Sequence, residues 1–333
     1  MPTALVQGSI AVQYFHLLQK KIATHWNILN WDPEVNSHRD FLDKAKIADV
    51  IIGGKIPLEK WPKLPKLKMF QIPWAGYDFC SPDTMPKDIP VCNCYEHEST
   101  MAEYVLLAML EWQINLGQMD KRFREKGWGG RPVGKGIYHG EVRGKTVGIL
   151  GYGHIGQEIA KRASVFGMRV LGIRRTLQHT PEWLEWIGTS ERLEEMLNES
   201  DFVVVCCDLN SQTKGIIGKK ELESMKKDGV LINVARGRVV DEESLYQTLF
   251  KKTIGGAVID VWYQYIGADK KEVWPSNFPF QDLDNVILSA HESAWTQEQI
   301  ERRWQFIAKN LERVERNQHP ENLVFIGEQI LEG

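Results

Sequence analysis

Short apolar runs alternate with amphipathic stretches through the first hundred residues. The pattern predicts buried strands at ALVQGS, WNILNW, DVIIGG, LKMFQIPW and IPVCNC. Between some of these strands, FHLLQKKI and FLDKAKIA have apolar residues at helical spacing. Strand–helix–strand repetition of this kind predicts a mostly parallel sheet that is covered by helices.

A second set of the same kind begins at Lys145. It predicts strands at TVGILGYG, MRVLGIRR, DFVVVCC, VLINVARG, GAVIDVW and NVILSAH. These runs are continuous and rich in Val and Ile, which is typical of strands that are buried on both faces. We therefore predict an α/β chain with two domains, each built on a doubly wound parallel sheet.

Two long helical patterns flank this second set. Residues 99–128 predict a single helix that is too long for an ordinary crossover and that bridges the two domains. The Gly-rich segment 127–144 predicts loops and turns. The charged pattern of residues 296–317 predicts a last helix that returns to the first domain, which makes that domain discontinuous.

Composition narrows the class of protein. The chain has 333 residues, 43% of them hydrophobic, which is enough for two domains with large cores. A net charge of −3 does not favour nucleic acid or an anionic membrane surface as a partner. MPTALVQGSI lacks the pattern of a secretion signal, and no run of about 18 apolar residues occurs. We expect a soluble cytoplasmic protein.

Five cysteines, an odd number in a long chain, favour reduced thiols over a disulfide framework. Cys92 and Cys94 form a C-x-C pair, but no second pair follows at zinc-like spacing. We therefore predict no metal site.

A glycine motif follows the first strand of the second set. Gly151, Gly153 and Gly156 stand in G-x-G-x-x-G register at the opening of a helix, with His154 and Ile155 between them. Such glycines allow a tight turn, close approach of a pyrophosphate and close packing of helix on strand. The free N–H groups of the helix N-terminus favour phosphate charge. This context predicts a dinucleotide site and not an ordinary glycine turn.

The next strand ends at Arg174-Arg175-Thr176. NAD-selective sites have an Asp or Glu about 20 residues past the glycines, where it binds the adenosine ribose hydroxyls. A 2′-phosphate would be repelled by a carboxylate, but it pairs well with a guanidinium group. We predict a preference for NADP(H), with NAD possible, over the alternative of a solvated arginine pair.

Three segments of the second set are specific in combination: LESMKKDGVLINVARGRVVDEESL, GGAVIDVW and NVILSAHESAWT. Together they closely resemble the D-2-hydroxyacid dehydrogenases, over roughly residues 40–310. The resemblance implies a flavodoxin-like substrate domain of residues 1–99 and 297–333, and a Rossmann cofactor domain of residues 100–296. It also implies a cleft between them that holds the site, and a homodimer.

The same resemblance implies roles for single residues. Arg236 matches the arginine that binds the substrate, and a guanidinium group both clamps a carboxylate and polarises a carbonyl. His291 matches the acid/base histidine, whose imidazole exchanges a proton near neutral pH. Ala75 and Gly76 match a loop whose amides receive the substrate carboxylate. Asp260 matches a residue beside the nicotinamide.

Further cofactor and substrate residues complete the predicted site. Cys207 and Ala235 follow strands of the second set and are predicted to bind the cofactor. Trp74, in the same loop as Ala75, is predicted to narrow the substrate pocket. Lys55 follows a strand where family members often face the substrate, and it could hold a second anionic group, although most lysines are simply solvated.

One position departs from the family pattern. The family has a Glu five residues after the Asp matched by Asp260, hydrogen-bonded to the histidine, whereas this chain has Tyr265. If Tyr265 replaces that carboxylate, the pKa of His291 is expected to be lower, which favours oxidation over reduction near neutral pH. Other acids that could serve instead are Glu292, Glu96 and Glu98.

The sequence thus predicts an enzyme that interconverts a small 2-oxo acid and its D-2-hydroxy acid by hydride transfer with NADP(H). One alternative is a specialised dehydrogenase that acts on a phosphonate or another small acid. Another is a non-catalytic protein that senses a dinucleotide.

Overall fold

A computed structural model describes residues 1–56, 61–130, 134–136, 138–177, 179–266 and 274–330. Parts of the predicted Gly-rich loop, at 131–133 and 137, lie outside the described residues. The chain divides into two compact units, which we call unit 1 (Met1–His97 with Thr296–Gly333) and unit 2 (Glu98–Trp295).

The elements follow one another in the alternating order that the apolar pattern predicts. The strands are β1 (Thr3–Gln7), β2 (Asn27–Trp31), β3 (Val50–Gly53), β4 (Met69–Gln71), β5 (Pro90–Cys92), β6 (Thr146–Leu150), β7 (Arg169–Ile173), β8 (Trp186–Gly188), β9 (Phe202–Val205), β10 (Val230–Asn233), β11 (Gly256–Ile259), β12 (Val286–Leu288) and β13 (Leu323–Ile326). The α-helices are α1 (Ser9–Val12), α2 (Phe15–Lys21), α3 (His38–Ala45), α4 (Glu98–Ile114), α5 (Leu116–Lys126), α6 (His154–Val165), α7 (Leu193–Glu199), α8 (Lys219–Glu223), α9 (Glu242–Phe250) and α10 (Gln297–Glu315). Short 3₁₀ turns lie at Pro82–Thr84, Ser190–Arg192, Gly237–Val239 and Phe280–Asp282.

Unit 1 is built on a sheet with the strand order β13-β5-β4-β3-β1-β2. The pairs from β2 to β5 are parallel and give the order 2-1-3-4-5 of flavodoxin-like folds. At the edge, β13 pairs with β5 in the antiparallel sense. Helix α10 packs on α2, and its residues Trp304, Ile307 and Leu311 are buried in the core of this unit.

Unit 2 is built on a sheet with the order β12-β11-β10-β9-β6-β7-β8, and all its strand pairs are parallel. Neighbouring residues of β9, Val203 and Val204, belong to different apolar clusters, so both faces of the sheet are covered. The order reverses between β6 and β9, where doubly wound sheets bind their ligands. The two units confirm the predicted fold class of parallel-sheet α/β domains.

The single helix predicted for residues 99–128 is wrong, because the chain forms two helices, α4 and α5. Asn115 between them has a left-handed backbone with φ 57°, which Asn tolerates better than most residues. The carboxylate of Glu111 accepts hydrogen bonds from the N–H groups of Leu116 and Gly117, at 3.2 Å each. It therefore caps the new helix start that the break creates.

Two further expectations from the sequence concern membrane-spanning helices and the oxidation state of the cysteines. Among the described residues, no helix is both long enough and apolar enough to cross a bilayer. All five cysteines are free thiols. Burial raises the pKa of Cys92 to about 12, which keeps this group in its thiol form.

Candidate active site

The predicted site residues of unit 2 lie at one edge of its sheet. Each one follows the carboxyl end of a strand: Gly151 after β6, Arg174 after β7, Cys207 after β9, Ala235 and Arg236 after β10, Asp260 after β11, and His291 after β12. Because neighbouring strands are parallel, these ends meet at the same edge. The sheet therefore brings together residues that are up to 140 positions apart in the sequence, Gly151 and His291.

The glycine motif forms a tight turn between β6 and α6. Gly151 has φ +108°, and a Cβ there would lie 2.5 Å from the main-chain nitrogen of Cys207. A Cβ at Gly156 would lie 2.6 Å from the carbonyl oxygen of Gly151. At Gly153, by contrast, an added Cβ would meet nothing within 4 Å. The start of α6 is thus packed tightly on its protein side and open at Gly153, as a site for a pyrophosphate requires.

Arg174 follows β7 directly and is half-buried, whereas Arg175 and Thr176 are exposed. Its main-chain N–H donates to the carbonyl oxygen of Gly188 at 2.9 Å. Within the described residues its buried side-chain Nε has no hydrogen-bond partner. A buried donor without an acceptor is costly, so the guanidinium group suits an anionic ligand at this position.

The carboxylate of Asp260 organises the segment that follows β12. Asp260 is fully buried, and it accepts hydrogen bonds from the hydroxyl of Ser289 at 2.6 Å and from the main-chain N–H groups of Glu292 at 2.8 Å and Ser293 at 3.1 Å. The Ser289 hydroxyl gives its one hydrogen to Asp260, so it accepts from the Tyr104 hydroxyl, 2.6 Å away. Sequence reasoning missed Ser289 and Tyr104, because no motif links α4 to this segment.

His291 lies at the centre of this organised segment. It has a left-handed backbone with φ 61°, and its main-chain N–H donates to the carbonyl oxygen of Asp260 at 2.8 Å. Desolvation of the ring lowers the pKa of His291; the charge of Asp260 raises it, and the charge of Arg236 lowers it. A lower pKa was expected from the loss of a carboxylate partner, but its main cause here is the desolvation of the ring.

Tyr265 contacts the catalytic candidate His291. The distance from its hydroxyl oxygen to Nδ1 of His291 is 3.1 Å, and the two rings lie 5.6 Å apart between centroids. The same oxygen accepts a hydrogen bond from the main-chain N–H of Trp262 at 3.1 Å. Of the acids considered as replacements, Glu292 is exposed, and Glu96 pairs with Arg302 in unit 1 at 3.7 Å.

Arg236 is held by the loop after β10. Its Nη1 donates to the carbonyl oxygen of Ala235 at 2.8 Å, and the side chain of Asn233 donates to the carbonyl oxygen of Arg236 at 3.2 Å. A Cβ at Gly237 would lie 2.4 Å from the carbonyl oxygen of Trp262. The glycine therefore lets the Arg236 loop pack against the loop that carries Tyr265.

The predicted substrate residues of unit 1 lie at the carboxyl edge of the other sheet. Lys55 is exposed just after β3, and Trp74 is half-buried after β4. The indole of Trp74 covers Gly54, where an added Cβ would lie 2.4 Å from the ring. Within the described residues the N–H groups of Ala75 and Gly76 have no acceptor, while the carbonyl oxygen of Ala75 accepts from Asn93 at 2.9 Å. Two free amides in one loop suit a carboxylate.

The described part of the chain contains no group of three or more His, Cys, Asp or Glu residues that could hold a metal ion. The chemistry available at the edge of unit 2 is thus a guanidinium group, an imidazole with a phenol partner, and an open glycine turn. A doubly wound sheet with these groups defines a dinucleotide-dependent oxidoreductase.

Comparison with known proteins agrees with this class. The family model for the NAD binding domain of D-isomer specific 2-hydroxyacid dehydrogenases matches residues 106–293. Glyoxylate reductases from Thermococcus litoralis and Korarchaeum cryptofilum are 33% and 30% identical, and the matches cover 92% and 91% of each chain, respectively. The D-3-phosphoglycerate dehydrogenase of Methanocaldococcus jannaschii is 31% identical over 86% of this chain, which spans only 53% of that protein.

Solved structures share the whole fold. A D-isomer specific 2-hydroxyacid dehydrogenase family protein from Aeromonas salmonicida has a TM-score of 0.78 at 23% identity, covering 97% of this chain and 99% of that one. An NADPH-dependent glyoxylate/hydroxypyruvate reductase from Sinorhizobium meliloti has a TM-score of 0.76 at 19% identity, covering 97% and 98%. The chain belongs to the D-isomer specific 2-hydroxyacid dehydrogenases. It is an oxidoreductase of 2-oxo acids and 2-hydroxy acids.

Proposed function

We propose that this enzyme reduces a small 2-oxo acid to its D-2-hydroxy acid with NADP(H), and also catalyses the reverse oxidation. The observation that carries this proposal is the meeting of Arg236, His291 and the open glycine turn at one edge of the unit 2 sheet. The relatives named glyoxylate reductase support a small substrate.

The cofactor would be held by groups of unit 2. The turn at Gly151 and Gly153 and the start of α6 would receive the pyrophosphate, with Cys207 and Ala235 on the neighbouring strand ends. The unpaired Nε of Arg174 would bind the 2′-phosphate, with Arg175 and Thr176 beside it in the chain. When bound, the nicotinamide supplies the hydride for reduction.

The protein's own groups would bind and protonate the substrate. Arg236 would clamp the carboxylate and polarise the carbonyl oxygen, on which negative charge develops. His291 would give a proton to that oxygen, so that hydride and proton together convert the carbonyl into a hydroxyl. In unit 1, the free amides of Ala75 and Gly76 would receive the carboxylate, Trp74 would limit the size of the substrate, and Lys55 would favour an anionic substituent.

A homodimer is part of the proposal. Helix α5 has no buried residue, and it exposes Leu116 (63%) and Phe123 (56%), with Trp128 (68%) just beyond its end. Phe123 and Trp128 pack edge to face at 5.9 Å. An exposed apolar surface of this kind is typical of an interface. Light scattering should give a mass of twice 38.3 kDa, and Phe123→Asp should shift it towards the monomer.

The proposal is tested by steady-state rates with NADPH and with NADH on glyoxylate, hydroxypyruvate, pyruvate and a phosphonate-bearing 2-oxo acid. Chiral chromatography of the product measures its configuration. Turnover with a preference for NADPH and a D product for the chiral acids would support the proposal. If only the phosphonate-bearing acid is turned over, the substrate class is phosphonates and not simple 2-oxo acids. Equal kcat/KM with the two cofactors would contradict the cofactor preference.

A further inference from the structure

The phenol oxygen of Tyr265 lies between two hydrogen-bonding groups. The main-chain N–H of Trp262 and the Nδ1 atom of His291 are each 3.1 Å from it. A main-chain N–H can only donate, so Trp262 occupies one of the two lone pairs of the phenol oxygen. A phenol group can both donate and accept, so at this distance it can donate to Nδ1 of a neutral ring or accept from Nδ1–H of a charged ring.

Among the described residues, the charges that shift the pKa of this imidazole are those of Asp260 and Arg236. Within the described residues, the Asp260 carboxylate accepts hydrogen bonds from Ser289 and from two main-chain N–H groups and makes none with Nδ1, so it acts on the imidazole through its charge. Tyr265 is thus a neutral group at the position that would otherwise hold the carboxylate partner of the histidine.

We propose that Tyr265 is a positioning residue for His291, which fixes the ring through Nδ1 in both protonation states and leaves Nε2 for the substrate. This inference rests on the proposed function, because it assigns His291 the proton transfer. Trp262 anchors the phenol, and the close packing at Gly237 ties that anchor to the Arg236 loop. The substrate arginine and the orientation of the histidine are therefore held by one pair of loops.

A neutral partner has a consequence for the direction of the reaction. A carboxylate stabilises the imidazolium and raises its pKa, whereas a phenol hydrogen-bonds to the charged and the neutral ring without adding charge. His291 then carries its extra proton only in acid solution. Reduction, which consumes that proton, is fastest at acid pH, and oxidation of the hydroxy acid is favoured near neutrality.

The first test is Tyr265→Phe, which removes the phenol oxygen and keeps the ring. A misplaced imidazole costs turnover and not binding, so kcat should fall about 10- to 100-fold while KM for the 2-oxo acid stays within threefold. The control is Tyr246→Phe, which keeps the aromatic packing on Phe278 at 5.1 Å and should leave kcat unchanged. An unchanged kcat in Tyr265→Phe, or a rise in KM alone, would overturn the proposal.

The second test restores a carboxylate with Tyr265→Glu. An opposite charge beside an imidazole raises its pKa by about one to three units, so the pH above which the rate of reduction declines should move upward by at least one unit. In addition, ¹⁵N NMR of the imidazole, assigned with His291→Gln, measures the ring directly. Tyr265→Phe should change the Nδ1 shift, and Tyr265→Glu should raise the pKa of His291.

The positioning role would be contradicted if, in both variants, the Nδ1 chemical shift and the pH above which the rate of reduction declines were the same as in the wild type. This failure differs from failure of the proposed function. If the proposed function is wrong, the wild-type enzyme itself fails to reduce 2-oxo acids. If only the positioning role is wrong, the wild type is active and the Tyr265 variants behave as it does.

Discussion

The main-chain N–H of His291 donates to the carbonyl oxygen of Asp260 at 2.8 Å, and this bond ties a left-handed histidine to the end of the neighbouring strand. A non-glycine residue in this conformation is held there only when its surroundings determine it. The carboxylate of Asp260 provides those surroundings, because it binds the two N–H groups that follow His291.

Asp260→Asn should therefore loosen the segment that carries His291. The amide has one acceptor oxygen in place of two and leaves a buried N–H or hydroxyl group unpaired, which costs about 1–3 kcal/mol. Urea unfolding should show a loss of that size, together with a lower kcat. The control is the exposed Asp282→Asn, which should change stability by less than about 0.5 kcal/mol. Equal stability of the two variants would contradict the role given to Asp260.

Arg174→Ala should weaken binding of NADPH much more than binding of NADH. Hydrogen bonds to a charged group contribute about 1.5–3 kcal/mol, so KM for NADPH should rise about 10- to 100-fold. NADH lacks the 2′-phosphate and serves as the internal control, with KM changed by less than about threefold. Equal effects on the two cofactors would mean that Arg174 does not bind the phosphate.

Much of this fold could be predicted because its strands are continuous apolar runs. The strands β6, β9, β10 and β11 are fully buried, and the sequence shows each of them as an uninterrupted stretch of mainly aliphatic residues. The edge strand β13, LVFI, was not predicted although it is an apolar run, because it has only four residues. Periodicity alone cannot assign so short an apolar run to a strand.

In the candidate site, too, some features could be predicted from the sequence and others could not. Residues that come within three positions after an apolar strand, such as Arg174, Arg236 and His291, could be placed at the sheet edge from the sequence alone. The hydrogen bonds from Tyr104 to Ser289 and from Trp262 to Tyr265 could not be predicted, because no sequence motif or periodicity relates the groups that they join. The break at Asn115 depends on the side chain of Glu111, a contact that helical spacing does not reveal.

The pH dependence of the reaction should follow the lowered pKa of His291. Reduction requires the protonated ring, so kcat/KM for the 2-oxo acid should fall as pH rises through that pKa, below the usual value of about 6.5. Oxidation requires the neutral ring and should rise over the same range. Rates in both directions from pH 5 to 9 measure this, and a decline in reduction that starts only above pH 7 would contradict it.

Asn115→Ala and Asn115→Gly should differ in stability. The left-handed backbone of Asn115 strains an alanine by about 1–2 kcal/mol, whereas glycine adopts it without a steric cost. Urea unfolding should show Asn115→Ala less stable than Asn115→Gly, with catalytic rates unchanged in both. Equal stabilities would mean that α4 and α5 can merge into one helix in the alanine variant.

The most direct measurement compares Arg236→Ala with Arg238→Ala, which removes an exposed arginine two residues away. The measured quantities are kcat/KM for glyoxylate with NADPH and, by fluorescence titration, the Kd for NADPH. Because Arg236 is assigned to both the carboxylate and the developing charge, its removal should lower kcat/KM about 10³-fold or more while the Kd stays within threefold. Arg238→Ala should retain wild-type values. Activity of Arg236→Ala within a few-fold of the wild type would contradict the assignment of the active site to this edge of the unit 2 sheet.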